Sequence, residues 1–282
     1  LIAGTMAWGS WGKQLQKKEM IALIQHCITN SITTFDNADI YGAYTTEADF
    51  GKAFNDSEIN RDDIQLISKC GIQDMCANRD NTIKHYNYSK NYIIWSVEES
   101  LKNLKTEYLD LLLLHRPSPL MIAEEIAEAI TVLKKNGKIK DFGVSNFTPA
   151  QMEMIGLRID IDVNQIEFSL TQHTAMFDGT LDYMTSTGIK PMAWSPLGSV
   201  FRQDNEQTRR IHKQLGALRN KYNATEDQLL LAWILKHPSG MYPVIGTTNK
   251  ERLQLAMEAI NINLELEDWF LILEASRGQS VP

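Results

Sequence analysis

The sequence has no uninterrupted apolar run near the roughly 18 residues that a membrane-spanning helix needs. Its longest apolar stretches, such as residues 109–114 with one aspartate among them, have the length of a strand. Cysteine is also scarce: the three cysteines form no C-x-x-C pair, which favours reduced thiols over a disulfide framework. These absences predict a cytoplasmic protein with no membrane partner.

Basic residues are fewer than acidic residues in this sequence. The 28 lysines and arginines against 35 acidic residues give a net charge of −7, which argues against a broad basic face for nucleic acid. The six histidines show neither the H-x-H nor the H-E-x-x-H spacing of metal sites, which argues against a metal-dependent hydrolase. We therefore predict no resident metal and no nucleic-acid partner, and any phosphate-bearing ligand needs a local cationic site.

No feature of the sequence divides it into parts. It has no Pro-, Gly- or Ser-rich linker and no shift in composition, so residues 1–282 are expected to form a single domain. The absence of a coiled-coil pattern predicts a monomer. The chain shows no signal-peptide pattern and opens on Leu1 instead of methionine, from which we expect that N-terminal residues are missing.

Eight short apolar runs alternate with amphipathic segments. This alternation predicts an α/β protein with a parallel sheet, either an open doubly wound sheet or a closed (β/α)8 TIM barrel. A dinucleotide-binding open sheet should show G-x-G-x-x-G after its first strand, and residues 4–12 contain no such match. The count of eight strands favours the barrel. The predicted strands are Ile2–Thr5, Thr33–Phe35, Ile64–Ser68, Leu109–Leu114, Lys140–Val144, Val163–Ile166, Lys190–Ala193 and Tyr242–Ile245.

Reactive side chains concentrate at the carboxyl ends of these strands, where barrels of this type carry their active sites. An aspartate, a lysine and a histidine end successive strands, and a tyrosine follows the second strand within a turn. Their joint occurrence favours a catalytic site over four unrelated surface or packing residues. The four residues are Asp36, Tyr41, Lys69 and His115.

Such a set is suited to protonating an oxygen atom. Tyrosine has an ordinary pKa near 10, and a neighbouring ammonium lowers it. A carboxylate paired to the ammonium holds it in place, and a histidine across the pocket can orient a carbonyl oxygen. The chemistry fits the reduction of a carbonyl group, for which a nicotinamide would supply the hydride.

Seven sequence motifs follow one another at barrel spacing: T-F-D-N-A-D-I-Y-G at 34–42 with Glu47, I-S-K at 67–69, L-L-H-R-P at 113–117, G-V-S-N-F at 143–147, N-Q at 164–165, A-W-S-P-L-G at 193–198 and V-I-G-T at 244–247. Together they resemble the aldo-keto reductases along almost the whole chain. The similarity is strongest to the bacterial oxidoreductase branch that carries an Ala-Trp-Ser segment.

The resemblance implies a catalytic tetrad and a cofactor site. Asp36, Tyr41, Lys69 and His115 would form the tetrad, with Tyr41 as general acid and with Lys69 and Asp36 depressing its pKa. The residues implied to contact the cofactor near its nicotinamide and pyrophosphate are Thr5, Ser145, Asn146 and Gln165, the ring-stacking Trp194, and Ser195, Leu197 and Gly198.

The phosphate end of the cofactor would meet the segment after the last strand. Gly246, Thr247, Lys250 and Arg252 open a helix there, and a guanidinium can clamp a 2′-phosphate, so NADP(H) is expected over NAD(H). The family's adenine-side residues have no clear counterpart further along the helix.

The substrate is expected to be a small or medium carbonyl compound. Trp8, Trp11 and Arg116 lie beside motifs of the rim and are candidates for the pocket. The long polar segment 71–88 could form one wall, with His85, Tyr86 and Tyr88 as candidate contacts. The alternative function is a nucleotide-binding regulatory or redox-sensing barrel without turnover.

Overall fold

Strands and helices alternate along residues 1–281, the part of the chain that the computed structural model describes. The strands are β1 Ile2–Gly4, β2 Thr34–Asp36, β3 Gln65–Cys70, β4 Ile72–Gln73, β5 His85–Tyr86, β6 Leu109–Leu114, β7 Ile139–Ser145, β8 Val163–Glu167, β9 Lys190–Trp194 and β10 Tyr242–Ile245. The helices are α1 Lys17–Thr29, α2 Tyr41–Tyr44, α3 Thr46–Asn55, α4 Lys90–Leu104, α5 Ala123–Lys135, α6 Pro149–Gly156, α7 Thr180–Thr187, α8 Glu206–Tyr222, α9 Glu226–Leu235, α10 Lys250–Glu258 and α11 Leu266–Arg277.

Eight strands form a closed barrel in the order β1-β10-β9-β8-β7-β6-β3-β2, which confirms the predicted (β/α)8 class. All eight predicted strands are present, with ends that differ by at most two residues. The antiparallel hairpin of β4 and β5, in which Ile72 pairs with Tyr86, was not predicted. It lies within the long segment 71–88 and gives that segment a regular framework.

The described residues group into two compact units, so the prediction of a single domain stays a prediction. The N-terminal unit comprises residues 2–165 and 246–250. Its strands β1, β2, β3, β6 and β7 pair in parallel, and β7 pairs with the first residues of β8. The C-terminal unit comprises Leu1, residues 166–245 and the described residues from Glu251 onward, and in it β9 pairs in parallel with β10.

Helix boundaries follow the capping chemistry of the sequence. The Thr148 hydroxyl accepts from the Gln151 N–H directly before Pro149, and Thr225 with Gln228 forms a reciprocal capping box that starts α9. Because each cap satisfies backbone groups that the first helical turn leaves without partners, these boundaries could be located from sequence. None of the helices in the described residues is both long and apolar enough to cross a membrane.

Candidate active site

Lys69 is the centre of the site in the N-terminal unit. It lies near the end of β3 with its side chain fully buried, and its Nζ donates to Asp36 Oδ2 at 2.8 Å, to the Asn37 carbonyl at 2.8 Å and to the Tyr41 hydroxyl at 2.9 Å. An ammonium has three N–H groups, and all three are used. This full set of partners offsets the cost of burying a charge, and it fixes the position of the Tyr41 oxygen.

Tyr41 is held in place by an unusual backbone. Gly42, Ala43 and Tyr44, which follow it, all have positive φ values of 61°, 55° and 67°. A Cβ on Gly42 would come within 2.4 Å of the Thr46 hydroxyl oxygen, so only glycine fits there. The left-handed conformation at Ala43 and Tyr44 carries strain, which is a frequent property of segments that position reactive groups.

The pKa of Tyr41 moves in the direction opposite to the prediction. Burial raises it above the ordinary value, and the Lys69 charge beside the hydroxyl only partly opposes this. For Lys69, burial alone would lower the pKa, but Asp36 and Tyr41 raise it above normal. Tyr41 is therefore a protonated phenol at neutral pH and Lys69 is an ammonium, so that the hydroxyl can donate a proton.

His115 follows β6 and packs edge-on against the Tyr41 ring, with 5.9 Å between ring centroids. Burial, followed by the charges of Lys69, Arg116 and Lys84, lowers its pKa well below the usual value. The imidazole is therefore neutral at neutral pH and can donate one hydrogen bond to a carbonyl oxygen. The structure thus brings together all four predicted residues of the tetrad.

The residues implied to bind the nicotinamide carboxamide form one hydrogen-bonded cluster. Asn146 Nδ2 donates to Ser145 Oγ at 2.8 Å, and Ser145 Oγ donates to the Gln165 carbonyl at 2.9 Å. Gln165 Nε2 in turn donates to Asp36 Oδ1 at 3.1 Å. Asp36 therefore holds Lys69 with one oxygen and this cluster with the other.

Thr5 supports the segment that follows β2. Its buried hydroxyl lies 2.8 Å from Asn37 Oδ1 and 3.2 Å from the Asp36 carbonyl oxygen. Asn37, whose own carbonyl accepts from Lys69, belongs to the site and was not singled out from sequence. These contacts give Thr5 a supporting role here, and its predicted contact with the cofactor stays a prediction.

The expectation that Trp8 lines the substrate pocket does not agree with its position. Trp8 is 1% exposed and packs against the rings of Phe35 and Phe50. Trp11 is instead 46% exposed, and its ring centroid lies 6.2 Å from that of Tyr41. Of the two tryptophans, Trp11 is the one whose ring lies next to the Tyr41 ring.

Arg116 and the long segment 71–88 are tied together. The Tyr88 hydroxyl donates to the Arg116 carbonyl at 2.5 Å and accepts from its N–H, so Tyr88 is a buried anchor. His85 and Tyr86, the other two candidates on this segment, are exposed on β5. Arg116 Nη1 donates to Ser145 Oγ and to the His115 carbonyl, both at 3.3 Å, which places its guanidinium beside the tetrad.

The predicted pyrophosphate residues lie on a short loop after β9 in the C-terminal unit. Trp194 ends β9, and Ser195 and Gly198 both have a φ of 55°. Arg202, which was not predicted, donates to the Gly198 carbonyl at 2.7 Å and to Ser195 Oγ at 3.3 Å. Leu197 is half-buried between them, so the loop has a defined conformation.

The predicted phosphate residues surround the start of α10. Gly246 and Thr247 follow β10, and the Thr247 hydroxyl accepts from the Asn249 N–H at 3.2 Å. Lys250 and Arg252 are exposed in the first turn of the helix. Both cations thus lie where the helix presents N–H groups, an arrangement that favours anions.

A pair of carboxyl groups, Asp39 and Glu47, is buried near the four proposed tetrad residues. The Asp39 N–H donates to the Lys69 carbonyl at 3.0 Å, its Oδ2 accepts from Ser96, and its Oδ1 has no hydrogen-bond partner among the described residues. Glu47 Oε1 accepts from Ser68 at 2.6 Å. Burial and then the Glu47 charge raise the pKa of Asp39 to about 8.

We expect Asp39→Asn to stabilise the protein, and to do so more at pH 9 than at pH 5. Unfolded, Asp39 ionises near pH 4, whereas the folded protein keeps the proton until about pH 8. Wild-type stability is therefore lost as pH rises between these values, and the amide removes that loss. Urea unfolding should show a gain of up to about 5 kcal/mol at pH 9, which corresponds to the roughly four units between the two pKa values, less the cost of burying the amide N–H groups. Exposed Asp49→Asn is the control, and an equal gain at both pH values would contradict the expectation.

Comparison with known proteins agrees with this geometry. The profile of the Aldo/keto reductase family matches residues 1–277. The uncharacterized oxidoreductase YcsN of Bacillus subtilis (strain 168) is 42% identical over 94% of this chain and 90% of its own. The 6-dehydroglucose reductase of Agrobacterium fabrum is 36% identical over 92% of this chain and 88% of its own. An aldo-keto reductase of Klebsiella pneumoniae, solved in complex with NADPH, superposes with a TM-score of 0.82 at 25% identity, over 100% of this chain and 91% of its own.

The chain belongs to the aldo/keto reductase family. It is an NAD(P)H-dependent enzyme that reduces carbonyl groups. The described residues contain no group of three or more side chains arranged to hold a metal ion.

Proposed function

We propose that this enzyme uses NADP(H) to reduce the carbonyl group of small to medium aldehydes and ketones, with Tyr41 as general acid. The observation that carries the proposal is the fully buried Lys69 ammonium, which donates to the Tyr41 hydroxyl while Asp36 balances its charge. NADPH in the K. pneumoniae relative supports the choice of cofactor.

The side chains near Asp36 fit a nicotinamide. Ser145, Asn146 and Gln165 provide both hydrogen-bond donors and acceptors, which is the complement of a primary carboxamide. Their mutual hydrogen bonds hold them in one arrangement before a ligand arrives. These residues would orient the ring, and when bound the nicotinamide supplies the hydride.

The chain's own residues supply the proton and the orientation. Neutral His115 donates a hydrogen bond to the carbonyl oxygen and aligns it with Tyr41. As negative charge develops on that oxygen, the Tyr41 hydroxyl gives up its proton to it. The phenolate that remains is stabilised by Lys69 at 2.9 Å.

The test is direct. Purified protein with NADPH and a panel of aldehydes and ketones is expected to consume the cofactor, which is followed as a falling absorbance of the reduced nicotinamide. Alcohol formation, measured by chromatography, should match that fall mole for mole. A regulatory barrel without turnover would bind NADPH and leave the absorbance constant.

Arg252 is proposed to contact the 2′-phosphate. Arg252→Ala should weaken NADPH binding by about 10- to 100-fold, which is the usual range for a charged hydrogen bond, and should leave NADH binding nearly unchanged. Fluorescence titration gives both dissociation constants. Exposed Arg219→Ala, on α8, is the matched control. Equal losses for NADPH and NADH would remove Arg252 from the phosphate site.

Two further predictions concern the location of the protein and its oligomeric state. The free thiols of Cys27, Cys70 and Cys76 support the proposed cytoplasmic location, because an oxidising compartment favours disulfides. The monomeric state stays a prediction, and light scattering of the purified protein would measure it.

A further inference from the structure

Cations surround the tetrad although the whole chain carries a net charge of −7. Arg116 follows His115 directly, and its Nη1 lies 3.3 Å from Ser145 Oγ and 3.3 Å from the His115 carbonyl oxygen. These two contacts hold the guanidinium group at the carboxyl ends of β6 and β7. Its charge acts on both His115 and Tyr41.

A second cation comes from the long segment. Lys84 is exposed and directly precedes β5, the second strand of the hairpin. Burial lowers the pKa of His115 most, and the charges of Lys69 and Arg116 come next. The charge of Lys84 lowers it further. Lys84 is four residues before Tyr88, the buried anchor whose hydroxyl contacts the Arg116 backbone, so it belongs to the segment that is fixed at Arg116.

The remaining charges of the tetrad cancel. Asp36 and Lys69 form a one-to-one ion pair at 2.8 Å, and His115 is neutral. Arg116 therefore adds a positive charge beside the Asp36–Lys69 pair, and Lys84 adds another on the segment that is fixed at Arg116. The nicotinamide carboxamide that we assign to Ser145 and its neighbours is uncharged, so the cofactor's reactive end does not explain these two cations.

We propose that this site prefers carbonyl substrates that bear a carboxylate, which Arg116 and Lys84 recognise. This inference rests on the proposed function. A guanidinium matches a carboxylate in charge and planar geometry, and an ammonium on a flexible stem adds attraction at longer range. Because the carboxylate is distant from the reacting carbon and unchanged by the reaction, its contacts should act mainly on KM.

A carboxylate-bearing aldehyde and its uncharged methyl ester provide the test. We expect the wild type to reduce 4-carboxybenzaldehyde with a kcat/KM at least about tenfold above that for methyl 4-formylbenzoate. The difference should lie in KM, and it should shrink as ionic strength rises. The two compounds share the aldehyde and the ring, and their difference in intrinsic reactivity cancels when the ratio is compared between the wild type and a variant.

Substitutions at Arg116 and Lys84 test which of these residues causes the preference for the carboxylate. Arg116→Gln is expected to lower the acid-to-ester ratio about tenfold, and Lys84→Gln about threefold, whatever happens to the absolute rates. Lys84→Glu should lower the ratio further, because it replaces attraction by repulsion. Lys102→Gln, a matched change on an exposed lysine of α4, should leave the ratio as in the wild type. Dissociation constants for NADPH, measured in parallel, separate substrate recognition from damage to the cofactor site.

The outcomes separate this inference from the proposed function. Equal kcat/KM values for acid and ester in the wild type would overturn the inference and leave carbonyl reduction intact. So would a ratio that neither Arg116→Gln nor Lys84→Gln changes. If NADPH reduces neither compound nor any other aldehyde, the proposed function is wrong, and the inference that rests on it is wrong as well.

Discussion

Tyr41→Phe is expected to lower kcat by about 10²- to 10⁴-fold, the usual contribution of a positioned general acid. The change removes one oxygen atom, which is the atom that Lys69 Nζ contacts at 2.9 Å. The phenyl ring can keep its packing against His115 and Trp11, so binding of NADPH should stay within a few fold of the wild type. Steady-state kinetics and a fluorescence titration measure the two effects separately.

A matched tyrosine makes this prediction specific. Tyr108 precedes β6, and its hydroxyl donates to exposed Asp62. Tyr108→Phe removes the same atom from the same residue type without touching the tetrad, so kcat should not change. If Tyr41→Phe keeps most of its turnover, another group must deliver the proton, and the proposed role of Tyr41 is wrong.

Lys69→Met should combine a loss of turnover with a large loss of stability. Methionine has a similar length, but it leaves the Asp36 carboxylate, which is 2% exposed, without its cation. Breaking a buried ion pair by removing one partner costs about 3–5 kcal/mol, because the remaining charge is buried without compensation. Urea unfolding measures the loss, and kinetics at low temperature, where the variant stays folded, measure the turnover.

The double variant Asp36→Asn with Lys69→Met tests the reason for this loss. If the uncompensated carboxylate is the cause, neutralising it should recover part of the stability that Lys69→Met loses. Turnover should not recover, because the ammonium beside Tyr41 is still missing. A double variant no more stable than Lys69→Met would show that the loss comes from packing around the lysine stem.

Much of the barrel could be predicted because its signals are local. Capping residues such as Thr148 and Thr225 define where helices begin, and strands such as Leu109–Leu114 are apolar runs with at most one polar residue. The hairpin of β4 and β5 was missed because each strand has two residues, too few for an alternating pattern to show. Its existence depends on pairing with a distant segment.

That the four proposed tetrad residues lie close together was predictable because each ends or follows a strand, and strand ends meet at one rim of a barrel. The direction in which a side chain points after that end was not predictable. Trp8 and Trp11 are three residues apart in one loop, yet Phe35 and Phe50 bury the first and Tyr41 contacts the second. The raised pKa of Tyr41 depends on burial, which no spacing in the sequence reveals.

Asp36 contacts the groups proposed for both parts of the reaction, the proton transfer and the binding of the nicotinamide. One of its oxygens holds Lys69, which sets the position of the proton donor, and the other holds Gln165, on the side proposed for the nicotinamide. A displacement of this carboxylate would move the source of the proton and the support of the ring together. The distance between the proton source and the support of the ring is therefore less sensitive to small movements of the scaffold than the position of either group, because both groups move with Asp36.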